Sequence, residues 1–237
     1  MKKNKISKNW IHKQRRDIYV RRSKLEGYRS RAIYKLQEID DKFKIFKNGI
    51  SVIDLGAAPG SWSQFISKKI KNGKILAIDL KEMDKIGNIY QIKGNFSEDK
   101  YKQQIREYFG KNVDVVLSDM AVNTTGNKDI DSIVTGELCI EALNFASDFL
   151  KKNGQFISKI FMGSTFNEIV DLAKRNFKKT SIFKPSASTS MTSTIRRGGY
   201  TLGLGLEREI SDSMTYKFEY RHSKSNNLKD QIRIKSI

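Results

Sequence analysis

The strongest constraint on the fold is an alternation of short apolar runs with longer amphipathic ones, from residue 51 to residue 183. Ser51-Val52-Ile53-Asp54-Leu55 is an apolar strand that runs into a glycine-containing loop, and Trp62 to Ile70 should be a helix. Lys74 to Asp79 is a second strand ending in an acid, and Ile89 to Lys93 is a third. A polar helix over 98–109 leads to a fourth strand, Val113 to Asp119, which also ends in an acid. A long helix over 132–150 precedes a fifth strand, Phe156 to Phe161, and a helix near 165–176 and a strand near 179–183 complete the series. Upstream, residues 29–43 read as a helix with Ile33, Leu36, Ile39 and Phe43 roughly on one face. Alternation of this length predicts an α/β, Rossmann-like fold: a mainly parallel sheet with helices on both faces. Ligands of such sheets bind outside the carboxyl ends of the strands. Asp54, Asp79, Asp119 and Lys159 are therefore expected at one rim.

The turn Gly56-Ala57-Ala58-Pro59-Gly60 follows the first strand directly. Glycine lets such a turn be sharp and lets a ligand approach its backbone. The run is not G-x-G-x-x-G, and Pro59 has no backbone N–H. A pyrophosphate cradle is thus disfavoured, although the loop by itself does not separate a dinucleotide from another nucleotide or from a structural turn. Asp79 is placed to accept hydrogen bonds from ribose hydroxyls, a role that serves NAD and S-adenosylmethionine alike.

Charge narrows the partner. The chain of 237 residues carries a net charge of +19. Residues 1–35 hold 13 lysines and arginines against only Asp17 and Glu26, which is +11 of that total. Such a patch attracts polyanions directly and by counterion release. Trp10, Tyr19 and Tyr28 lie among the cations, where they could stack on exposed bases. The bland alternative is a solvated basic tail. No sustained apolar helical face accompanies the charge, which argues against a membrane surface. No apolar run approaches the roughly 18 residues of a membrane span, and no apolar segment follows the basic N-terminus as in a secretory signal. Cys139 is the only cysteine, which suits a reducing cytoplasm, and with two histidines it leaves little for a metal site, so none is expected.

Four segments together resemble the FtsJ/RrmJ family of ribosomal RNA 2′-O-methyltransferases. They are Glu26 to Leu36 (EGYRSRAIYKL), Asp54 to Trp62 (DLGAAPGSW), Ser118 to Asn123 (SDMAVN) and Phe156 to Phe161 (FISKIF). They occur in the family's order, within a likeness covering about residues 10–190. The resemblance implies a methyltransferase fold that uses S-adenosyl-L-methionine, with cofactor contacts at Gly60, Trp62, Asp79, Asn95 and Asp119. It implies Lys159 as proton acceptor, with Lys35 and Asp119 as its partners. The implied target is a ribose 2′-hydroxyl of a uridine in large-subunit (23S) ribosomal RNA, within the 50S subunit. A cytoplasmic monomer is expected, with a basic RNA-binding extension over 1–28, the methyltransferase domain over 29–195 and an atypical C-terminal segment over 196–237. Chemistry supports the lysine pair: a lysine acts as base only if its pKa falls from about 10.4. A neighbouring lysine and partial burial both lower it, and Asp119 between them opposes that drop. Taken singly, each residue also has an ordinary reading. Lys159 could be a strand-end lysine with its charge in water, Lys35 a helix-surface lysine and Asp119 a turn cap.

The sequence departs from the family at three places. Asn95 stands where an aspartate is usual, and it can still accept through its carbonyl oxygen if the amide is so turned. Val122 stands where a proline is usual. The glutamate expected about ten residues after Lys184-Pro185 is missing: that position is Thr194, and no acid occurs before Glu207 and Glu209. From Gly198 to His222 the alternation of Leu202, Leu204 and Leu206, then of Tyr216, Phe218 and Tyr220, predicts a hairpin that resembles an outer-membrane β-barrel segment. These departures predict an imperfectly completed sheet and reduced activity. They keep open a non-catalytic RNA-binding or ribosome-assembly protein. A methyltransferase for small molecules or protein is a further rival, against which the basic N-terminus argues.

Overall fold

The computed structural model describes residues 17–121, 128–161, 163–188 and 192–196. All of them fall in one compact unit, Met1–Leu206; Glu207–Ile237 forms a second unit, outside the described residues. Among the described residues two helices come first, α1 (Ile18–Leu25) and α2 (Ile33–Phe43). The alternating series follows: β1 (Ser51–Leu55), α3 (Ser61–Lys69), β2 (Lys74–Asp79), β3 (Tyr90–Lys93), α4 (Asp99–Phe109) and β4 (Val113–Ser118). It continues through α5 (Lys128–Phe149), β5 (Leu150–Phe161), α6 (Phe166–Asn176), β6 (Ser181–Phe183) and β7 (Thr192–Arg196).

The seven strands lie in the order β3-β2-β1-β4-β5-β7-β6. The pairs β1–β2, β2–β3, β1–β4 and β4–β5 are parallel, and β7 runs antiparallel between β5 and β6. The chain steps outward from β1 to β3 and then returns to place β4 on the other side of β1. That reversal opens a crevice beyond the carboxyl ends of β1 and β4, which is where such sheets bind ligands.

Strand period explains the two cores. Ile53, Leu55, Leu76, Ile78, Val116, Phe156 and Ile160 face α4, α5 and α6 on one side. Their neighbours Val52, Ile75, Ala77, Val115, Leu117 and Ile157 face α2 and α3 on the other. Because both faces are covered, β1, β2 and β4 are mostly apolar rather than alternating with polar residues. Each fully buried side chain such as Leu36, Ile66 or Leu143 contributes about 1.5–3 kcal/mol.

The sequence expectations match these elements in kind, although α2 begins at Ile33 rather than 29 and α5 at Lys128 rather than 132, and three larger differences stand. Helix α1 was not anticipated; its run of cations hides it, and Asp17 starts it by accepting from the N–H groups of Tyr19 and Val20. Strand β5 begins at Leu150 rather than Phe156, with a register shift against β4 between Val113 and Val115. The incomplete sheet is corrected: β7 fills the place between β5 and β6, with Thr194 opposite Lys159 on one side and Phe183 on the other. The sheet closes because backbone N–H and C=O groups pair whatever the side chain. The hairpin expected after Gly198, together with Trp10 and Val122, lies outside the described residues.

Candidate active site

The turn after β1 is built on backbone contacts. The N–H groups of Gly56 and Ala57 donate to the Ile78 carbonyl at 2.9 and 3.2 Å, which fixes the turn to the end of β2. Gly56 and Gly60 have φ of 65° and 101°, the region that glycine adopts without penalty. Space is also tight at both. A Cβ on Gly56 would lie 2.1 Å from Cγ of Met120, and one on Gly60 would lie 2.5 Å from Cδ1 of Ile86. The turn opens directly into α3, whose first N–H groups have no partner within the helix and so present donors to an incoming ligand. Trp62 belongs to that first turn. Its ring is buried and its indole N–H donates to the Ala32 carbonyl at 2.8 Å, so the side chain serves packing.

Asp79 ends β2 beside this turn. Its Oδ2 accepts from the Ala58 N–H at 2.9 Å and its Oδ1 from the Lys81 N–H at 2.7 Å. Each oxygen keeps a further lone pair for a ribose hydroxyl. Asn95 follows β3, but its Oδ1 already accepts from the Ser97 N–H at 3.1 Å and the Ser97 hydroxyl at 2.9 Å. Accepting from an adenine amino group would require the amide to turn, or a third hydrogen bond on that oxygen.

The second half of the rim gathers three charges. Asp119 follows β4, Lys35 comes from α2 and Lys159 from β5. Asp119 Oδ1 receives Lys159 Nζ at 3.1 Å and Lys35 Nζ at 3.5 Å, and Lys159 Nζ also donates to the Asp119 carbonyl at 2.8 Å. The side chains of Lys35 and Asp119 are each 18% exposed and that of Lys159 is 11% exposed, so none is an ordinary surface charge. Burial lowers the Lys35 pKa, Asp119 opposes this and Lys159 reinforces it. Burial alone would raise the Asp119 carboxyl, but the two ammonium groups and their hydrogen bonds outweigh it and hold it below the usual range.

One group was not singled out as a site residue. Asp54 is buried within β1 and bonded to the Ser63 hydroxyl at 2.6 Å. Burial pushes its carboxyl up to about 7 against the pull of Ser63, and the charges of Asp119 and Asp79 add to the rise. An acid inside an otherwise apolar strand was the available signal. The two tyrosines expected as stacking platforms are engaged within the chain. Tyr19 packs against Tyr34 at 5.4 Å between ring centroids, and the Lys68 ammonium covers Tyr28 at 4.3 Å.

Taken together, the rim can hold an uncharged or cationic ligand by backbone donors and carboxylates. Beside it stand two lysines that share one carboxylate oxygen of Asp119. A family model described as FtsJ-like methyltransferase matches residues 28–195. The ribosomal RNA large subunit methyltransferase E of Pelagibacter ubique is 63% identical over 188 residues, covering 79% of this chain and 93% of that protein. The Rickettsia felis protein of the same name is 44% identical over 200 residues, covering 82% and 88%. Among solved structures, a Plasmodium falciparum protein described as a ribosomal RNA methyltransferase superposes with a TM-score of 0.67. It is 33% identical, over 73% of this chain and 98% of that one.

Proposed function

Given that the chain belongs to the FtsJ-like methyltransferase family, we propose that it methylates a ribose 2′-hydroxyl of large-subunit ribosomal RNA, at a uridine. The cofactor is S-adenosyl-L-methionine, and the rim fits it: the Gly56–Gly60 turn leaves backbone room, Asp79 offers ribose acceptors, and carboxylates suit a cationic sulfonium. The observation that carries the reading is the meeting of Lys35 and Lys159 on one oxygen of Asp119 beside that turn. In this reading Gly60, the Trp62 backbone, Asp79, Asn95 and Asp119 hold the cofactor.

When bound, S-adenosyl-L-methionine supplies a methyl carbon open to in-line attack. The chain's residues do the rest. Lys159 Nζ takes the 2′-hydroxyl proton as the oxygen attacks, which needs a neutral amine in hydrogen-bond reach. Lys35 meets Lys159 on the same oxygen of Asp119 and helps fix where the Lys159 amine stands. Asp119 fixes the direction of both side chains. Residues 1–28 extend the cationic surface for RNA, residues 29–195 form the transferase and residues 196–237 are an appended segment. The whole acts as a cytoplasmic monomer on the 50S subunit.

The test is transfer of a tritiated methyl group to undermethylated large subunits. Transfer by the wild-type chain that disappears in Lys159→Ala supports the reading. Absence of transfer with the cofactor bound would instead favour a non-catalytic RNA-binding protein.

A further inference from the structure

One arginine joins parts of the rim that the sheet does not connect. Nη1 of Arg29 donates to the carbonyls of Pro59 and Asp84, each at 3.0 Å, and Nη2 donates to that of Lys85 at 3.2 Å. Pro59 belongs to the turn after β1, and Asp84 and Lys85 to the loop after β2. These are the two loops that flank the cleft. Gly60 lies directly beneath: a Cβ there would stand 2.9 Å from Nη1. Guanidinium hydrogen bonds are charge-assisted and stronger than neutral ones, so this is a firm three-point tie.

The same short segment is fastened to α3 along its length. The Arg29 N–H donates to Gln64 Oε1 at 2.9 Å, the hydroxyls of Ser30 and Ser61 lie 2.7 Å apart, and Trp62 donates to the Ala32 carbonyl. Three residues past Ala32, α2 carries Lys35 to Asp119. In the other direction the segment leads back to α1, with Arg21, Arg22 and Lys24, and Asp17 at its start is paired with Arg31. A single strut therefore runs from the cation-rich helix, past the cofactor turn, to the lysine pair.

We propose that Arg29 is a positioning residue that couples the two ligands: by tying both cleft loops to the arm that meets RNA, it makes binding of either strengthen binding of the other. This rests on the assignment of S-adenosyl-L-methionine and RNA as the ligands. Because the three bonds join both loops to the arm, an arrangement of the loops that one ligand favours is carried to the arm, and the reverse, which is the differential interaction that coupling requires. Linkage makes the effect reciprocal, with a factor of about 5 or more as the ordinary size.

The experiment uses the full chain, the non-reacting product S-adenosylhomocysteine and a transcript of a large-subunit ribosomal RNA fragment. Calorimetry gives the S-adenosylhomocysteine affinity without RNA and at saturating RNA, and the reverse titration gives the RNA affinity with and without S-adenosylhomocysteine. The wild type should show about a fivefold gain in each direction. Arg29→Met keeps the stem and removes the donors, and should bring both ratios below about twofold together. Arg29→Lys, which keeps the charge but not the fork, should fall between the two. A wild-type ratio of one overturns the proposal. So does an Arg29→Met protein that binds both ligands more weakly at an unchanged ratio, or an Arg29→Lys protein with the full ratio. A wild type that binds neither ligand overturns the underlying functional assignment, and the coupling with it.

Discussion

Asp119→Asn tests the charge balance of the rim without relying on activity. The substitution keeps the shape and one acceptor oxygen but removes the only negative charge on that oxygen pair. In the native chain Asp119 Oδ1 lies 3.1 Å from Lys159 Nζ and 3.5 Å from Lys35 Nζ. At an effective dielectric of about 20, each attraction is about 5 kcal/mol before desolvation is subtracted. Both ammonium groups touch the same oxygen, so they lie within about 7 Å of each other and repel by at least about 2 kcal/mol. With the carboxylate gone, that repulsion is unopposed and the fold should lose about 2–4 kcal/mol near neutral pH. The sign with pH follows from the two shifts. Asp119 has a lowered pKa in the fold, so its contribution is present above the ordinary carboxylate range and is lost as pH falls through the folded value. Lys35 also has a lowered pKa, so its charged form is disfavoured in the fold, and stability is regained as pH rises from its folded value towards about 10.4. The difference between wild type and Asp119→Asn in urea unfolding should thus be largest near neutrality. It should shrink towards strong acid, and again in alkali as pH approaches the ordinary lysine value of about 10.4. A difference that is flat with pH, or that grows in alkali, would refute this account of the cluster.

Three further outcomes are expected. Asp79→Ala removes the proposed ribose acceptors and orphans the N–H groups of Ala58 and Lys81, so S-adenosyl-L-methionine affinity by calorimetry should fall about 10- to 100-fold; an unchanged affinity would end its proposed role. Asn95→Asp adds acceptor capacity where Oδ1 is already used twice, and should tighten the same binding about fivefold, read in the same titration. Gly60→Ala forces a side chain into positive φ, against Ile86 and Arg29, and should lower the melting temperature and weaken cofactor binding together; a melting curve that matches wild type would contradict the packing described.

The strands and helices from β1 to β6 were legible because their apolar periods are clean, as in Ser51–Leu55 and Val113–Ser118. That Asp119 and Lys159 share one rim was legible from the order of strands, and Lys35 reaches them from α2. What stayed hidden has physical reasons. Strand β7, Thr192–Arg196, has little apolar alternation and is held by backbone pairing to its neighbours. The Arg29 tie was illegible because its acceptors are main-chain carbonyls, which no residue type advertises. Trp62 was expected at the cofactor, and the burial of its ring and its bond to Ala32 were hidden because they depend on how α2 packs against α3. The competition for the Asn95 oxygen could not be foreseen either, since it depends on how the turn to Ser97 closes.

The central claim is that the rim transfers a methyl group to a ribose oxygen, with Lys159 as the proton acceptor. The direct measurement is where the label lies after reaction of the wild type with tritiated S-adenosyl-L-methionine and undermethylated large subunits. A 2′-O-methyl ribose blocks alkaline cleavage of the adjacent phosphodiester, so labelled RNA should yield an alkali-resistant labelled dinucleotide. Lys159→Ala should yield none while binding the cofactor with the affinity of the wild type. Label recovered in ordinary mononucleotides, as a base-methylated product gives, would contradict the account.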